Sequence, residues 1–158
     1  MVKVLFVCLG NICRSPTADA ILRKKVKDAG LQKLISVDSA GTAAWHTGKA
    51  PDERSTRHAA LRGYDLSPLR ARQVSFADFY EFDYVLAMDE QNLADLIDLS
   101  DDASTQPELF LKRFNHKFPE TQVPDPYYGG DAGFEHVLDL LEHACDNLLA
   151  EIRQKHAL

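Results

Sequence analysis

The stretch from residue 2 to residue 22 constrains the fold of this chain more strongly than any other. Its apolar, β-favouring run at residues 4–7 predicts a strand that is buried on both faces. Ser15 and Pro16 predict a helix start, because serine can cap a helix and proline at its first position loses no needed N–H. In the short loop between this strand and this helix, backbone N–H groups and the helix N-terminus converge on one point. The stretch therefore predicts an anion site directly after the first strand of an α/β fold.

Cys8 and Arg14 stand at the two ends of this loop. The guanidinium of Arg14 matches phosphoryl oxygens, and together with the loop amides it favours the thiolate, which is the nucleophilic form of cysteine. We interpret Cys8 as a nucleophile toward a phosphate ester and Arg14 as the residue that binds the phosphoryl group. The loop residues between and after them are predicted to bind the substrate: Leu9, Gly10, Asn11, Ile12, Cys13 and Ser15. The alternative, a structural cysteine beside an ordinary turn, is disfavoured by Gly10-Asn11 inside the loop and Ser-Pro after it.

Strands and helices alternate along the rest of the chain. Further strands are predicted at residues 34–39, 83–88 and 109–114, and a long amphipathic helix at residues 131–156. This order predicts a single doubly wound α/β domain over residues 1–158, with a four-stranded parallel sheet flanked by helices. Ligands bind such sheets outside the carboxyl ends of the strands. We therefore expect the Cys8 loop, Ser39, Asp89 and the loop at 115–130 to meet at one edge.

Charge and cysteine content narrow the function classes. The net charge of −6 argues against binding to nucleic acid or to an anionic membrane surface. Three cysteines, an odd number without zinc-site spacing, suit reduced cytosolic thiols better than a disulfide framework or a metal site. No apolar run approaches the 18 or so residues of a membrane span. We expect a cytoplasmic protein that uses no cofactor or metal ion and does not insert into a membrane.

Two motifs carry a resemblance to a known family. The nine residues Cys8-Leu9-Gly10-Asn11-Ile12-Cys13-Arg14-Ser15-Pro16 resemble the signature of the low-molecular-weight protein tyrosine phosphatases, including its position near the N-terminus. The segment Asp125-Pro126-Tyr127-Tyr128-Gly129 resembles the acid motif of that family. From the residues alone, Asp125 fits a turn aspartate as well as an acid. The resemblance implies that Asp125 is the general acid and later the base.

The resemblance covers nearly the whole chain and implies hydrolysis of phosphotyrosine in proteins through a phosphocysteine intermediate. It implies that four side chains form the walls of an aromatic slot for the substrate ring: Leu9, Trp45, Tyr127 and Tyr128. It also implies that Asn11, Ser15 and Ser39 brace the phosphate loop, which is the segment from Cys8 to Arg14. For Ser15 the residues leave two roles open, as helix cap or as donor to the leaving Cys8 thiolate.

The chain departs from the family at two positions that lie outside the two motifs. Eukaryotic members often have a histidine before a Lys-Ala-Arg-Gln segment, where this chain has Leu69-Arg70-Ala71-Arg72-Gln73. Asp19 stands where glutamate is more usual. Neither departure touches the chemistry. The six histidines are predicted to be surface residues: His46, His58, His116, His136, His143 and His156.

Two other functions compete with a phosphatase. An arsenate reductase of the same fold needs further redox cysteines in mid-chain, but the remaining ones are Cys13 and Cys145, and the latter lies in the terminal helix. A phosphotyrosine-binding module without activity has no need of Cys8 or Asp125. We therefore favour catalysis on tyrosine-phosphorylated proteins, by a monomer or weak dimer. Cys13 is predicted to form a reversible disulfide with Cys8 under oxidation.

Overall fold

A four-stranded parallel sheet in the order β2-β1-β3-β4 forms the centre of the fold, in a computed structural model that describes residues 1–126 and 129–158. The strands are β1 (Val2–Cys8), β2 (Ile35–Gly41), β3 (Tyr84–Ala87) and β4 (Glu108–Leu109). The helices are α1 (Arg14–Asp28), α2 (Glu53–Leu61), α3 (Asp78–Glu81), α4 (Glu90–Ser100), α5 (Phe110–Phe114) and α6 (Gly130–His156). The predicted α/β class with four parallel strands is confirmed.

Strand β1 occupies the middle of the sheet and is buried on both faces, as its sequence predicts. It pairs with β2 along its whole length, from Val2 opposite Ile35 to Cys8 opposite Gly41. Its side chains alternate between two apolar cores. Phe6 belongs to the core under α1, α5 and α6, whereas Leu5 belongs to the core under α3 and α4. Helices therefore cover both faces, which is the doubly wound arrangement.

The predicted extent of the fourth strand, residues 109–114, is wrong, although the strand itself is present and includes Leu109. Only Glu108 and Leu109 pair with β3, and the chain then turns into helix α5. Phe110 and Phe114 are one helical turn apart, and both are buried. Their rings lie 5.9 Å apart, and Phe110 also packs edge-on against Phe6 at 5.1 Å. A short apolar run fits a strand or a buried helix equally well, and packing on the core decides for the helix here.

The helices differ in how their N-termini are capped. Asp52 and Asp89 accept backbone N–H groups at the starts of α2 and α4. Helix α1 begins earlier than predicted, at Arg14, and has no side-chain cap. Ser15 therefore lies inside the first turn, and its interpretation as the helix cap is wrong. The hydroxyl of Ser15 lies 3.0 Å from the sulfur of Cys8 instead.

None of the helices in the described parts of the chain has the length and apolar character to cross a lipid bilayer. That all 158 residues form one domain stays a prediction.

Candidate active site

The loop between β1 and α1 surrounds the sulfur of Cys8, the last residue of β1. The backbone N–H of Asn11 donates to Cys8 Sγ at 3.3 Å, and Ser15 Oγ lies 3.0 Å from the same sulfur. Helix α1 begins directly after the loop, so its positive dipole end also points to this region. These groups stabilise negative charge on Cys8 and on an anion bound above it.

Asn11 holds the loop in its shape. Its φ of 57° lies in the left-handed region, which asparagine tolerates better than most residues, and its side chain is buried. Asn11 Nδ2 donates to Ser15 Oγ at 2.8 Å and to Ser39 Oγ at 3.0 Å. Its Oδ1 accepts from the backbone N–H of Arg72 at 3.0 Å. The segment at residues 69–73 therefore contacts the loop through the backbone N–H of Arg72.

Two glycines allow the loop to lie close to its neighbours. A Cβ atom on Gly41 would stand 2.7 Å from the carbonyl oxygen of Leu9, closer than a real contact permits. A Cβ atom on Gly10 would stand 2.9 Å from the ring of His46. Gly41 ends β2 and was missed as a site residue from sequence. Its position directly after Ser39-Ala40 at the carboxyl edge of the sheet was the available signal.

Arg14 is held from behind by two other segments. Its Nη1 donates to Asp89 Oδ2 at 2.7 Å and to the carbonyl oxygen of Val123 at 3.0 Å. Asp89 uses its second oxygen to cap α4, accepting from the backbone N–H of Asn92 at 2.8 Å. Asp89 therefore fixes the direction of the guanidinium. Sequence analysis placed Asp89 at this edge but did not predict that contact.

A cavity of about 360 Å³ lies above Cys8. It is lined by Cys8, Leu9, Gly10, Ile12, Cys13, Arg14, Trp45, His46 and Asp125. Trp45 is 70% exposed, which fits a wall of an open slot and not a core position. A neighbouring depression of about 710 Å³ shares Leu9, Arg14 and Asp125 with this cavity.

The structure thus brings most of the predicted site residues together around one cavity, and Asn11, Ser15 and Ser39 lie behind its floor. Tyr127 and Tyr128, the other predicted walls, lie outside the described residues. The roles assigned to all of these residues stay predictions.

The other two cysteines differ sharply in their surroundings. Cys13 lines the cavity and is partly exposed. Burial raises the pKa of its thiol to about 12, an effect that the nearby Asp52 increases and a hydrogen bond with Ser55 reduces. Cys145 is completely buried against α1, with Sγ 3.9 Å from the carbonyl oxygen of Ala18. Burial also raises the pKa of Cys145. A thiol relay of the arsenate-reductase kind therefore has no accessible third cysteine.

The sequence profile of the family described as "Low molecular weight phosphotyrosine protein phosphatase" matches residues 3–158 of the chain. This chain belongs to that family. The low molecular weight protein-tyrosine-phosphatase YfkJ of Bacillus subtilis is 40% identical over 158 residues, and the alignment covers all of both chains. The low-molecular-weight phosphatase resemblance found from the two motifs is confirmed.

Solved structures show the same phosphatase fold. A protein tyrosine phosphatase from Entamoeba histolytica, with Hepes in its active site, superposes with a TM-score of 0.92 at 39% identity and covers 99% of each chain. A Drosophila arginine phosphatase superposes with a TM-score of 0.86 at 32% identity, covering 97% of this chain and 98% of its own. The prediction of an enzyme of the low-molecular-weight phosphatase type is confirmed.

Proposed function

We propose that this phosphatase hydrolyses phosphotyrosine in proteins through a phosphocysteine intermediate on Cys8. One observation gives this proposal its main support. Cys8 Sγ lies at the floor of a cavity where the Asn11 N–H and the Ser15 hydroxyl face it, with Arg14 and Asp125 on the walls of the same cavity. A thiol suited to act as the nucleophile, a guanidinium suited to bind an anion and a carboxyl group suited to act as the acid therefore line one cavity.

In the first step the Cys8 thiolate attacks phosphorus, and the bond from phosphorus to the tyrosine oxygen breaks. Arg14 binds phosphoryl oxygens through the part of its fork that Asp89 and Val123 leave open, because both of those contacts use Nη1. The carboxyl group of Asp125 gives its proton to the departing oxygen. Tyrosine leaves as the neutral phenol, and the phosphoryl group remains on Cys8.

In the second step a water molecule attacks the phosphocysteine. The Asp125 carboxylate, left by the first step, takes a proton from that water. The sulfur–phosphorus bond breaks, inorganic phosphate is released, and Cys8 returns to the thiolate. Ser15 Oγ, 3.0 Å from the sulfur, donates to the thiolate as it leaves. This is the second of the two roles that the sequence left open for Ser15.

The surroundings of the cavity support an aromatic substrate. Leu9 and Trp45 present apolar surface at its rim, and both side chains are exposed. Such walls contact a flat ring over much of its area. The Drosophila relative is named an arginine phosphatase, so a phosphoarginine peptide is the substrate to compare. We expect the phosphotyrosine peptide to be hydrolysed with the higher kcat/KM.

The test is a Cys8→Ser variant assayed beside Cys13→Ser, which alters a thiol in the same cavity. Cys8→Ser is expected to lose turnover of a phosphotyrosine peptide completely, yet still to bind vanadate, because serine is poorly ionised at neutral pH. Cys13→Ser keeps the backbone N–H that residue 13 offers to the substrate and changes only the thiol, so it is expected to retain turnover. A rapid quench of the wild-type protein with labelled substrate is expected to trap one phosphoryl group on Cys8. Substantial turnover by Cys8→Ser would refute the mechanism.

Asp125→Asn tests the acid separately, through the dependence on the leaving group. Tyrosine has a pKa near ~10, so its oxygen needs a proton as the bond breaks, whereas a strongly acidic phenol leaves unaided. We expect Asp125→Asn to slow phosphotyrosine peptides by about two to four powers of ten and activated aryl phosphates much less. Equal slowing of both substrates would make Asp125 a structural turn residue.

A further inference from the structure

His58 is buried, although the sequence predicted a surface residue. It lies near the end of α2, faces α6, and is 8% exposed. Nδ1 lies 2.6 Å from Glu135 Oε2 and Nε2 lies 3.1 Å from Asp131 Oδ1. Its ring stacks on Phe134 with centroids 5.2 Å apart and an angle of 2° between the planes. His58 therefore contacts three side chains from the first two turns of α6.

These turns of α6 directly adjoin the segment that carries the predicted acid. Helix α6 begins at Gly130, and the backbone N–H of Gly129 donates to the Pro126 carbonyl oxygen at 3.1 Å. A Cβ atom on Gly133 would stand 3.5 Å from that same oxygen, so the first turn lies against Pro126. Pro126 is bonded to Asp125. A displacement of the first turn of α6 is therefore transmitted to the acid through one peptide unit.

One narrow cavity joins these groups. His58, Phe134 and Pro126 line it, and Cys13 of the phosphate loop forms another part of its wall. Arg54 of α2 lies over the ring of Phe134, 5.0 Å from its centroid. The stacked rings thus lie between α2 and Pro126, and Cys13 of the phosphate loop lines the same cavity.

We propose that His58 is a positioning residue for the acid step: by holding the first turns of α6 to α2, it sets the place of Asp125 above Cys8. This inference rests on the proposed role of Asp125. It predicts that the loss of the His58 contacts slows protonation of the leaving group and leaves phosphate binding unchanged. A misplacement of a catalytic group by about 1 Å can cost as much as two powers of ten in rate.

The principal variant is His58→Phe, which keeps a stacked ring and removes both contacts to carboxylates. We expect kcat for a phosphotyrosine peptide to fall about tenfold, and KM and vanadate inhibition to stay the same. Turnover of an activated aryl phosphate is expected to stay within about twofold. Asp131→Ala is the second variant, because the Asp131 side chain is 83% exposed and its truncation cannot disturb the core. Asp131→Ala removes one of the two contacts of His58 and is expected to act in the same direction, more weakly.

Tyr64→Phe is the matched control. Tyr64 donates from its hydroxyl to Glu142 of α6 at 2.5 Å, farther along the helix than the first turns. Tyr64→Phe removes a contact to α6 but leaves the turns that adjoin Pro126 unchanged. Both substrates are therefore expected to react at wild-type rates. An effect of Tyr64→Phe equal to that of His58→Phe would overturn the proposal, since the cause would then be general loosening of α6.

A double variant separates this inference from the proposed function. If His58 acts through Asp125, adding His58→Phe to Asp125→Asn causes no further slowing of the peptide. A further tenfold loss, or equal slowing of both substrates by His58→Phe, overturns the positioning role. The acid role of Asp125 is tested independently by the single variant Asp125→Asn. Equal slowing of both substrates in that variant would refute the acid role, irrespective of the result for His58→Phe.

Discussion

Oxidative closure of the Cys8–Cys13 disulfide is expected to be slow at neutral pH and to accelerate strongly as pH rises. Peroxide first converts the Cys8 thiolate to a sulfenic acid. The Cys13 thiolate then attacks that sulfur and hydroxide leaves, so the rate depends on the ionised fraction of Cys13. Burial raises the pKa of Cys13 to about 12 from an ordinary value of 9.0. Closure therefore competes poorly with further oxidation of Cys8 at pH 7.

The size of the effect follows from that pKa. At neutral pH the thiolate of Cys13 is about a thousandfold rarer than that of an ordinary cysteine. A thiolate of higher pKa is also more nucleophilic, and a Brønsted coefficient of ~0.4–0.5 recovers about 16- to 30-fold of the loss. Closure is then about 30- to 60-fold slower than with an ordinary thiol in the same place. Between pH 7 and pH 9 the rate is expected to rise about tenfold per pH unit, because both values lie below the pKa.

The assay is a peroxide pulse quenched at intervals with an alkylating agent, followed by mass mapping of the peptide that contains both cysteines. Two variants shift the pKa of Cys13 in opposite directions. Asp52→Asn removes a negative charge that raises it and keeps a residue able to cap α2, so closure is expected to be faster. Ser55→Ala removes a hydrogen bond that lowers it, so closure is expected to be slower.

A closure rate that does not change between pH 7 and pH 9 would refute this reasoning. So would a change in the same direction for Asp52→Asn and Ser55→Ala. In Cys13→Ser, Cys8 has no resolving thiol, and its conversion to sulfinic acid gives the rate of the competing reaction. If that conversion is equally fast with and without Cys13 at pH 9, Cys13 has no protective role.

Three further predictions concern the phosphate loop and its supports. Asp89→Ala is expected to lower kcat/KM about tenfold in steady-state assays, because Arg14 loses a hydrogen bond to a charged acceptor worth ~1.5–3 kcal/mol. Wild-type kinetics in this variant would exclude an orienting role of Asp89 for Arg14. Asp89→Asn is expected to act similarly, since Arg14 and Asn92 contact different oxygens of Asp89 and asparagine replaces one of these oxygens with an NH2 donor. Asn11→Ala is expected to lower the melting temperature by several degrees in calorimetry. The substitution removes three hydrogen bonds, and alanine at a φ of 57° costs ~1–2 kcal/mol. An unchanged melting temperature would count against the role of Asn11 in bracing the phosphate loop. Arg14→Lys is expected to weaken vanadate inhibition, because an ammonium group does not bind two oxygens in a fork; equal inhibition would contradict bidentate binding.

The sequence predicts the phosphate loop and the parallel sheet well because several local signals agree there. Residues 4–7 form an uninterrupted apolar run, and glycine, asparagine and Ser-Pro follow within nine residues. Signals of the same local kind stand at α2 and α4, where an aspartate cap precedes each helix. Such signals act within a few residues of the chain, so they need no knowledge of the tertiary structure.

Other features depend on contacts that are distant in sequence. Phe110 and Phe114 form a helix because the core on one face of the sheet accepts both rings. His58 is buried because Glu135 and Asp131, more than 70 positions away, face its two nitrogens. The contact of Asp89 with Arg14 spans 75 positions. Local sequence signals do not carry information about such pairings.

The complete burial of Cys145 makes its thiol a built-in probe for the separation of helices α1 and α6. Its sulfur lies between α6 and α1, where an alkylating reagent reaches it only after the two helices separate. In a pulse of reagent, the modification rate of Cys145 therefore measures the opening of that helix pair under native conditions. Cys8 lines the open cavity, so it is expected to react in the folded state unless a bound oxyanion covers it. A single mass spectrum of the labelled chain thus reports ligand occupancy from one thiol and fold opening from the other.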